Sequence, residues 1–237
     1  MELEQPAYRH EFKYLISSSQ AELLKQKICG LMALDPNVSG AGKYSIRSVY
    51  FDDYSNRCFY ENENGVDPRE KYRIRIYNHS AAHIRLERKE KTRGKTRKIS
   101  CTLTEEQARV LLAGKYPSDF SRQPELLKVL SREIMERGMR PVVIVDYDRV
   151  PYIYRLGNVR VTLDHNLSSS NQLQSFFDPM LVKRPVMPAG MQLLEVKFDE
   201  YLPDHIYRAL QIENLQHTAF SKYYLCRKYS LSLGGKL

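Results

Sequence analysis

The sequence predicts an α+β domain: an antiparallel sheet with helices on its apolar side, whose charged side either faces water or lines the inside of a closed barrel. Three observations predict it. Apolar and charged residues alternate with the two-residue period of strands in stretch after stretch. The charged side repeats one device, Glu-x-Lys at Glu11/Lys13, Glu87/Lys89 and Glu195/Lys197, with Arg-x-Arg at Arg73/Arg75. Between these stretches, capping boxes and proline starts mark helices.

The chain has 237 residues, 42% of them hydrophobic, enough to bury one sizeable core. One domain over residues 1–237 is expected. Thirty-seven Lys and Arg against 28 Asp and Glu leave a net charge of +9, which favours polyanionic partners without choosing among them. Cys29, Cys58, Cys101 and Cys226 are far apart and form no metal-type pair, so they read as packing residues in a reducing, cytoplasmic setting. The N-terminal residues show no leader pattern, and no apolar run approaches membrane-spanning length.

Residues 8–16 read as the first strand, with Arg9, Glu11 and Lys13 on one face and His10, Phe12 and Tyr14 on the other. Ser19 with Glu22 forms a capping box for a helix running to about Leu34. Residues 44–52 form the next strand, with Ser48, Tyr50 and Asp52 opposite Arg47, Val49 and Phe51; charge does not say which face is inner. Residues 56–68 read as connection.

Residues 69–100 are the most cationic part of the chain. Lys71, Arg73, Arg75 and Tyr77 share one face, Arg85, Glu87, Lys89 and Lys91 another, and residues 95–102 add a third basic segment. Like charges facing each other across a ladder repel unless carboxylates or bound anions screen them.

Thr104 to Gln107 is a capping box opening a helix that ends near Gly114, and residues 124–137 read as a helix stopped by Gly138. Residues 140–155 and 158–164 are strands around a turn at Gly157, with Tyr147 and Arg149 on one face of the first and Arg160, Thr162 and Asp164 on one face of the second. Residues 166–190 carry three prolines and no clear period, the pattern of a lid or a disordered loop. Residues 191–199 form a strand, residues 203–213 a helix opened by Pro203, and residues 220–230 a terminal helical segment.

A half-solvated sheet is the simplest account of such alternation. The repetition of the charged face weakens it. If the sheet closes into a barrel, the charged sides converge on a basic tunnel, which would be costly without a multiply charged anion and could also hold a divalent metal through carboxylate oxygen. The six histidines show no close metal-ligand spacing, and there is no P-loop and no dinucleotide-binding glycine fingerprint. A nucleic-acid module would suit the 17 tyrosines and the basic strands, but not glutamates interleaved with the cations, so no nucleic-acid partner is expected.

The motifs HEFKY, SVYFDD, YRIRIYN, IRLERKEK, VDYDRVPY, VRVTLD, LLEVKF and FSKYY, in this order over residues 7–229, resemble the VTC domain, the polyphosphate polymerase branch of the CYTH-like triphosphate tunnel metalloenzymes. The resemblance implies a closed eight-stranded antiparallel β-barrel, a triphosphate tunnel, decorated by helices. It implies binding of ATP or triphosphate with Mn2+ or Mg2+, and transfer of the ATP γ-phosphate to growing inorganic polyphosphate. It makes Lys13, Arg73, Arg75, Lys89, Lys98, Arg149, Arg160, Lys197 and Lys222 phosphate ligands, with Arg73, Arg75, Lys89, Arg149 and Arg160 holding the nucleotide's phosphates. Glu195 becomes the first candidate for the metal carboxylate, with Glu87 and Glu11 assisting it or neutralising lysines.

Hydrolytic tunnel enzymes begin with Glu-x-Glu-x-Lys, whereas this chain has Arg9-x-Glu11-x-Lys13, which favours the polymerase branch. A triphosphate hydrolase and a non-catalytic polyphosphate or nucleotide sensor stand as alternatives. Any membrane role would come through a membrane-protein partner.

Overall fold

The structure, a computed structural model, describes residues 7–38, 40–119, 121–213 and 215–234; the stretch read for a leader, residues 1–6, lies outside them. Strand β1 (His10–Ser17) runs directly into helix α1 (Ser18–Ile28). The cap falls two residues earlier than Ser19 and Glu22 suggest: Ser17 Oγ accepts from the Gln20 amide, and Gln20 Oε1 accepts from the Ser17 amide. Glu22 instead pairs with Lys25. The helix stops at Ile28 rather than near residue 34, because β2 (Ala33–Leu34) pairs with residues 152–153 of a later strand.

Strand β3 (Tyr44–Asp52) has the expected bounds. The stretch read as connection contains helix α2 (Arg57–Glu63). Its N-cap, Asn56, makes no side-chain cap bond; the Asp52 carboxylate, at the end of the preceding strand, accepts the Cys58 and Phe59 amides instead. A cap supplied from five residues before the helix, by a strand residue, leaves no capping-box signal. The cationic segment forms the meander β4 (Arg69–Tyr77), β5 (Ser80–Thr92) and β6 (Lys95–Leu103). Helix α3 (Glu105–Leu112) starts at the expected Thr104/Gln107 box, and α4 (Glu125–Arg137) ends at Gly138, whose φ of 63° is the left-handed conformation glycine adopts freely.

Strand β7 (Arg140–Tyr154) is followed by β8 (Val159–Ser170), which runs six residues beyond the expected end at Asp164. The rest of the long segment is not a lid. Phe176, Leu181 and Val186 are buried, β9 (Arg184–Pro185) pairs with β8, and the carbonyls of Phe176 and Asp178 accept from Arg47. Arg47 is fully buried and also binds Asp146 at 2.7 Å, so this ion pair fastens the segment to the outer side of the sheet. Strand β10 (Met191–Phe198), helix α5 (Asp204–Leu210) and helix α6 (Lys222–Gly234) complete the chain.

The main strands lie in the order β1-β10-β8-β7-β3-β4-β5-β6, and every pair is antiparallel. Helices α2, α3, α4 and α6 pack with one apolar cluster, α1 and α5 with a second. The expected closed barrel is not formed; the sheet is a curled, open barrel. Its end strands meet in one residue pair, Arg9 with Thr96, which exchange two amide hydrogen bonds of 2.9 Å. The register explains why. Thr96 lies two residues from Gly94 at the hairpin tip, so an antiparallel β1 runs past the end of β6 almost at once. Beyond the tip, the edge of β1 is taken by the strap 217–221, through a bridge between Tyr14 and His217 and a bond from the Thr218 amide to the Lys13 carbonyl.

All four cysteines are free thiols. Cys58 and Cys226 are buried as packing residues should be, Cys101 is partly buried, but Cys29 is exposed at the end of α1.

Candidate functional site

The concave side of the sheet encloses a cavity of about 480 Å³, and all nine cations named from the sequence border it: Lys13, Arg73, Arg75, Lys89, Lys98, Arg149, Arg160, Lys197 and Lys222. Two of the three candidate metal carboxylates, Glu11 and Glu195, border it as well. Glu87 does not; it is buried behind the wall.

The strand period puts these side chains on one face, and the register interleaves their charges. Lys13 stands opposite Glu195 and Glu11 opposite Lys197 across β1 and β10, while Arg73 stands opposite Glu87 across β4 and β5. Glu195 is the most heavily paired: Lys222 lies 2.6 Å away, Lys197 3.1 Å, Arg149 3.4 Å and Lys13 3.9 Å. Burial opposes its ionisation, but Lys197, Lys222, Lys13 and Arg149 outweigh burial and hold its carboxyl well below the usual range. Asp164 shares two of these partners. It takes a two-pronged bond from Arg149, at 2.6 and 2.7 Å, and a contact from Lys222 at 2.6 Å.

Glu11 accepts from Lys89 at 2.5 Å and lies 3.3 Å from Lys197 and 3.9 Å from Lys13. These three lysines overcome burial and keep its carboxyl ionised well below the usual range. Lys89 responds oppositely. Burial and the neighbouring Lys13 and Lys197 bring it down to about 7 despite Glu11. Glu87 takes Arg73 at 2.7 Å, Lys98 at 3.0 Å and Arg75 at 3.8 Å. Arg160 is held by Asp35 at 2.7 Å and by the Tyr44 hydroxyl at 2.8 Å.

Several wall residues went unnamed in the sequence reading of the site. Tyr50 accepts from Arg73 at 2.7 Å, and Tyr147 from Arg75 at 3.3 Å. Burial works against ionisation of Tyr147, but Arg149, Arg75 and Lys222 prevail and lower its phenol below the ordinary value. Asp164 was legible only as a strand residue. Arg69, Lys71 and Lys91 also border the cavity, in the same two-residue period as Arg73, Arg75 and Lys89.

The strap 217–221 covers part of the cavity. Lys13 Nζ donates to the Phe220 carbonyl at 2.9 Å, and Lys71 Nζ to Ser221 Oγ at 3.2 Å. Just beyond the strap, the Tyr223 hydroxyl donates to Asp52, the carboxylate that starts α2. One aspartate thus fixes two helices and the position of Lys222.

Among the described residues no three His, Cys, Asp or Glu side chains are grouped to hold a metal ion. A hard divalent cation on a phosphate substrate needs only one or two carboxylates, the remaining oxygens coming from phosphate and water. Glu195 and Glu11 fit that demand: both are ionised, both border the cavity, and Glu11 Oε1 is buried with no hydrogen bond. Glu87, enclosed by Arg73, Arg75 and Lys98, has no such opening.

A family model described as the VTC domain matches residues 8–231. Comparison with curated protein sequences gave no match. Among solved structures, an adenylyl cyclase candidate from Hippeastrum, described as having a dominant triphosphatase activity, superposes with a TM-score of 0.51 at 15% identity, covering 93% of this chain and 96% of its own. An adenylate cyclase candidate from Bacillus halodurans gives a TM-score of 0.49 at 17% identity, with 86% of each chain covered. The PH1819 protein of Pyrococcus horikoshii gives 0.48 at 15% identity, covering 97% of this chain and all of its own.

Proposed function

The chain belongs to the VTC-domain family, and from that premise we propose that it is a polyphosphate polymerase that transfers the γ-phosphate of ATP to a growing polyphosphate chain within the basic cavity. One observation carries the reading. Nine cations, eight from strands far apart in sequence and Lys222 from α6, border a single cavity in which, among the described residues, only Glu11 and Glu195 are lining carboxylates, a charge distribution that suits a polyanion far better than water.

Phosphoryl transfer asks a protein to align the attacking and leaving oxygens and to spread the charge of the transferred group. Arg73 and Arg75 are suited to this by being fixed before substrate arrives. Glu87, Tyr50, Ser48 and Tyr147 hold their guanidinium groups, leaving remaining N–H donors for phosphate oxygens. Arg149 is fixed likewise by Asp164. Lys13, Lys89, Lys197 and Lys222 act as point charges that exchange a carboxylate for a phosphate oxygen.

With these groups in place, an oxygen at the end of the phosphate chain attacks the γ-phosphorus in line, the bond to the β-phosphate oxygen breaks, and ADP leaves with that electron pair. Mn2+ or Mg2+ held by Glu195 and Glu11 would neutralise phosphate charge. Arg9 stands where the hydrolytic relatives carry their first glutamate, and it is paired with Asp199 at 2.7 Å. Transfer to a chain rather than to water agrees with that exchange. The reading places the reaction in the cytoplasm and leaves any passage of product across a membrane to a partner protein.

Incubation with ATP and Mn2+, followed by electrophoresis that resolves polyphosphate, tests this function. Long chains are the expected product. Free phosphate without chains would make the protein a triphosphate hydrolase, and binding without turnover would make it a sensor; either result overturns the polymerase reading.

A further inference from the structure

The nine cations do not account for all of the positive wall. Across β4 and β5, Arg73 faces Glu87 and is neutralised, but the next two cavity-side pairs are Lys71 opposite Lys89 and Arg69 opposite Lys91. Directly opposed like charges destabilise a ladder. Lys89 is relieved by Glu11 at 2.5 Å. Its three neighbours are not: none of Arg69, Lys71 and Lys91 has a carboxylate within 4.0 Å among the described residues.

Their contacts are neutral or belong to the fold. Lys71 Nζ donates to Asn62 Oδ1 at 2.5 Å and Ser221 Oγ at 3.2 Å and lies 5.0 Å from the centre of the Tyr223 ring. Arg69 donates to the Val66 carbonyl at 2.8 Å. Glu70 and Glu90, their sequence neighbours, lie on the opposite strand face and pair with Arg88 and Arg97, and Asp67 is turned to the Arg93 and Gly94 amides at the hairpin tip, with Lys91 and Arg69 only in its wider field. Burial, with Arg69, Lys13 and Lys89 nearby, holds Lys71 well below the usual lysine range.

We infer that Arg69, Lys71 and Lys91 form a second anion-binding subsite, continuous with the nine-cation site, that binds the phosphates of a chain beyond the third and so makes the cavity prefer polyphosphate to triphosphate. The inference rests on the reading of the cavity as a polyphosphate site. Its geometry sets the chain-length dependence. From Arg75 to Arg69 is six residues of extended strand, roughly 20 Å, a length that three linked phosphates do not span and a longer chain does. A triphosphate seated on Arg73, Arg75 and Arg149 leaves this end of the wall uncompensated, whereas a polymer compensates it with its own repeat of one charge per phosphate.

The test is calorimetric binding of tripolyphosphate and of long-chain inorganic polyphosphate, without nucleotide or metal, to wild type and to a Lys71→Met/Lys91→Met variant. Wild type is expected to bind the long chain more tightly. In the variant that preference should shrink by about tenfold or more, the worth of one lost charge-assisted hydrogen bond, while tripolyphosphate affinity changes less than about twofold. Lys91→Ala alone gives the same comparison with no buried contact removed, should the double variant fail to fold. Equal losses for both ligands, or no loss for either, overturn the subsite. A wild-type protein that binds long chains yet makes none from ATP overturns the polymerase function and leaves the subsite standing; one that binds neither ligand overturns both.

Discussion

Glu195 and Lys222 meet at 2.6 Å inside the cavity, one from the middle of β10 and the other from the first residue of α6. The pair joins the sheet to the last helix at the point where the cationic wall would hold phosphate. Because Asp164 holds the same ammonium at 2.6 Å, Lys222 keeps its charge and its position even when Glu195 turns to another partner. Burial alone would lower Lys222, but Asp164 and Glu195 raise it above the usual lysine range.

Replacing Glu195 by Gln should therefore abolish metal-dependent turnover without preventing folding. Asp164 still covers Lys222 and Arg149, so the expected loss of stability is about 1–3 kcal/mol, below that of a buried pair broken outright. Tripolyphosphate binding without metal should persist, since one opposing carboxylate is gone. Unchanged turnover in Glu195→Gln would remove the residue from the metal site.

Arg47→Met should be the most destabilising of the substitutions considered. Arg47 and Asp146 are buried and 2.7 Å apart, and the same guanidinium ties down the carbonyls of Phe176 and Asp178. Removing one partner of a buried pair costs about 3–5 kcal/mol, and because Lys183 still pairs with Asp146 the loss should fall at the lower end of that range. Urea unfolding checks the magnitude, and faster proteolytic cleavage within residues 173–187 checks that this segment is what the arginine holds.

Tyr223→Phe deletes a single buried hydroxyl and should cost about 1–3 kcal/mol, because Asp52 keeps its backbone donors but loses its link to α6. Lys222 is the preceding residue, so weaker tripolyphosphate binding should accompany the lower melting temperature. A lower melting temperature with wild-type binding would show that Lys222 is positioned by its ion pairs alone.

Acid stability should depend on Asp148. Burial raises its pKa, but hydrogen bonds from Ser45, Lys43 and Asn166 outweigh burial and hold the carboxyl at about 2, below its ordinary 3.8. The folded protein releases this proton more readily than the unfolded chain does. The stability it lends is thus complete above the ordinary carboxylate range and is lost as the pH falls through about 2. Wild type should exceed Asp148→Asn by about 1 kcal/mol at neutral pH, after allowance for solvent screening. Chemical denaturation at a series of pH values should show the two converging in acid; a constant gap would exclude this linkage.

The alternating strands and the side chains of the cavity were legible because a two-residue period fixes a side chain's face whatever lies around it. Glu11 with Lys13 and Arg73 with Arg75 announce a shared wall before any neighbour is known. Features set by distant partners were not legible. Ser19 and Glu22 carry the capping-box pattern, but the box forms at Ser17 and Gln20 because β1 runs straight into that earlier cap. Helix α2 owes its start to Asp52 on a strand, and the proline-containing segment after β8 owes its order to Arg47. The closed barrel was what the resemblance implied and converging charge allowed, yet closure depends on register between the end strands, which alternation does not encode. Arg69, Lys71 and Lys91 carry the same period, and only the cross-strand register reveals that, among the described residues, no carboxylate pairs with them.

Under the proposed function, the single backbone pair joining Arg9 to Thr96 has a topological meaning. A sealed pipe admits a thread only by its tip, so loading slows as the thread lengthens. A wall joined along one seam by a single backbone pair, with Lys89 on Glu11 and Arg97 over the Tyr8 ring as the side-chain contacts beside it, would on parting there admit a filament by its flank, wherever its tips lie. Arg9 and Thr96 exchange both amide bonds, so the next pair along the register, Tyr8 with Arg97, is the closer non-hydrogen-bonded kind that a disulfide bridges. With Tyr8→Cys and Arg97→Cys oxidised, capture of long polyphosphate should slow while ATP enters as before; equal rates for the sealed and unsealed protein would mean that chains always enter tip-first.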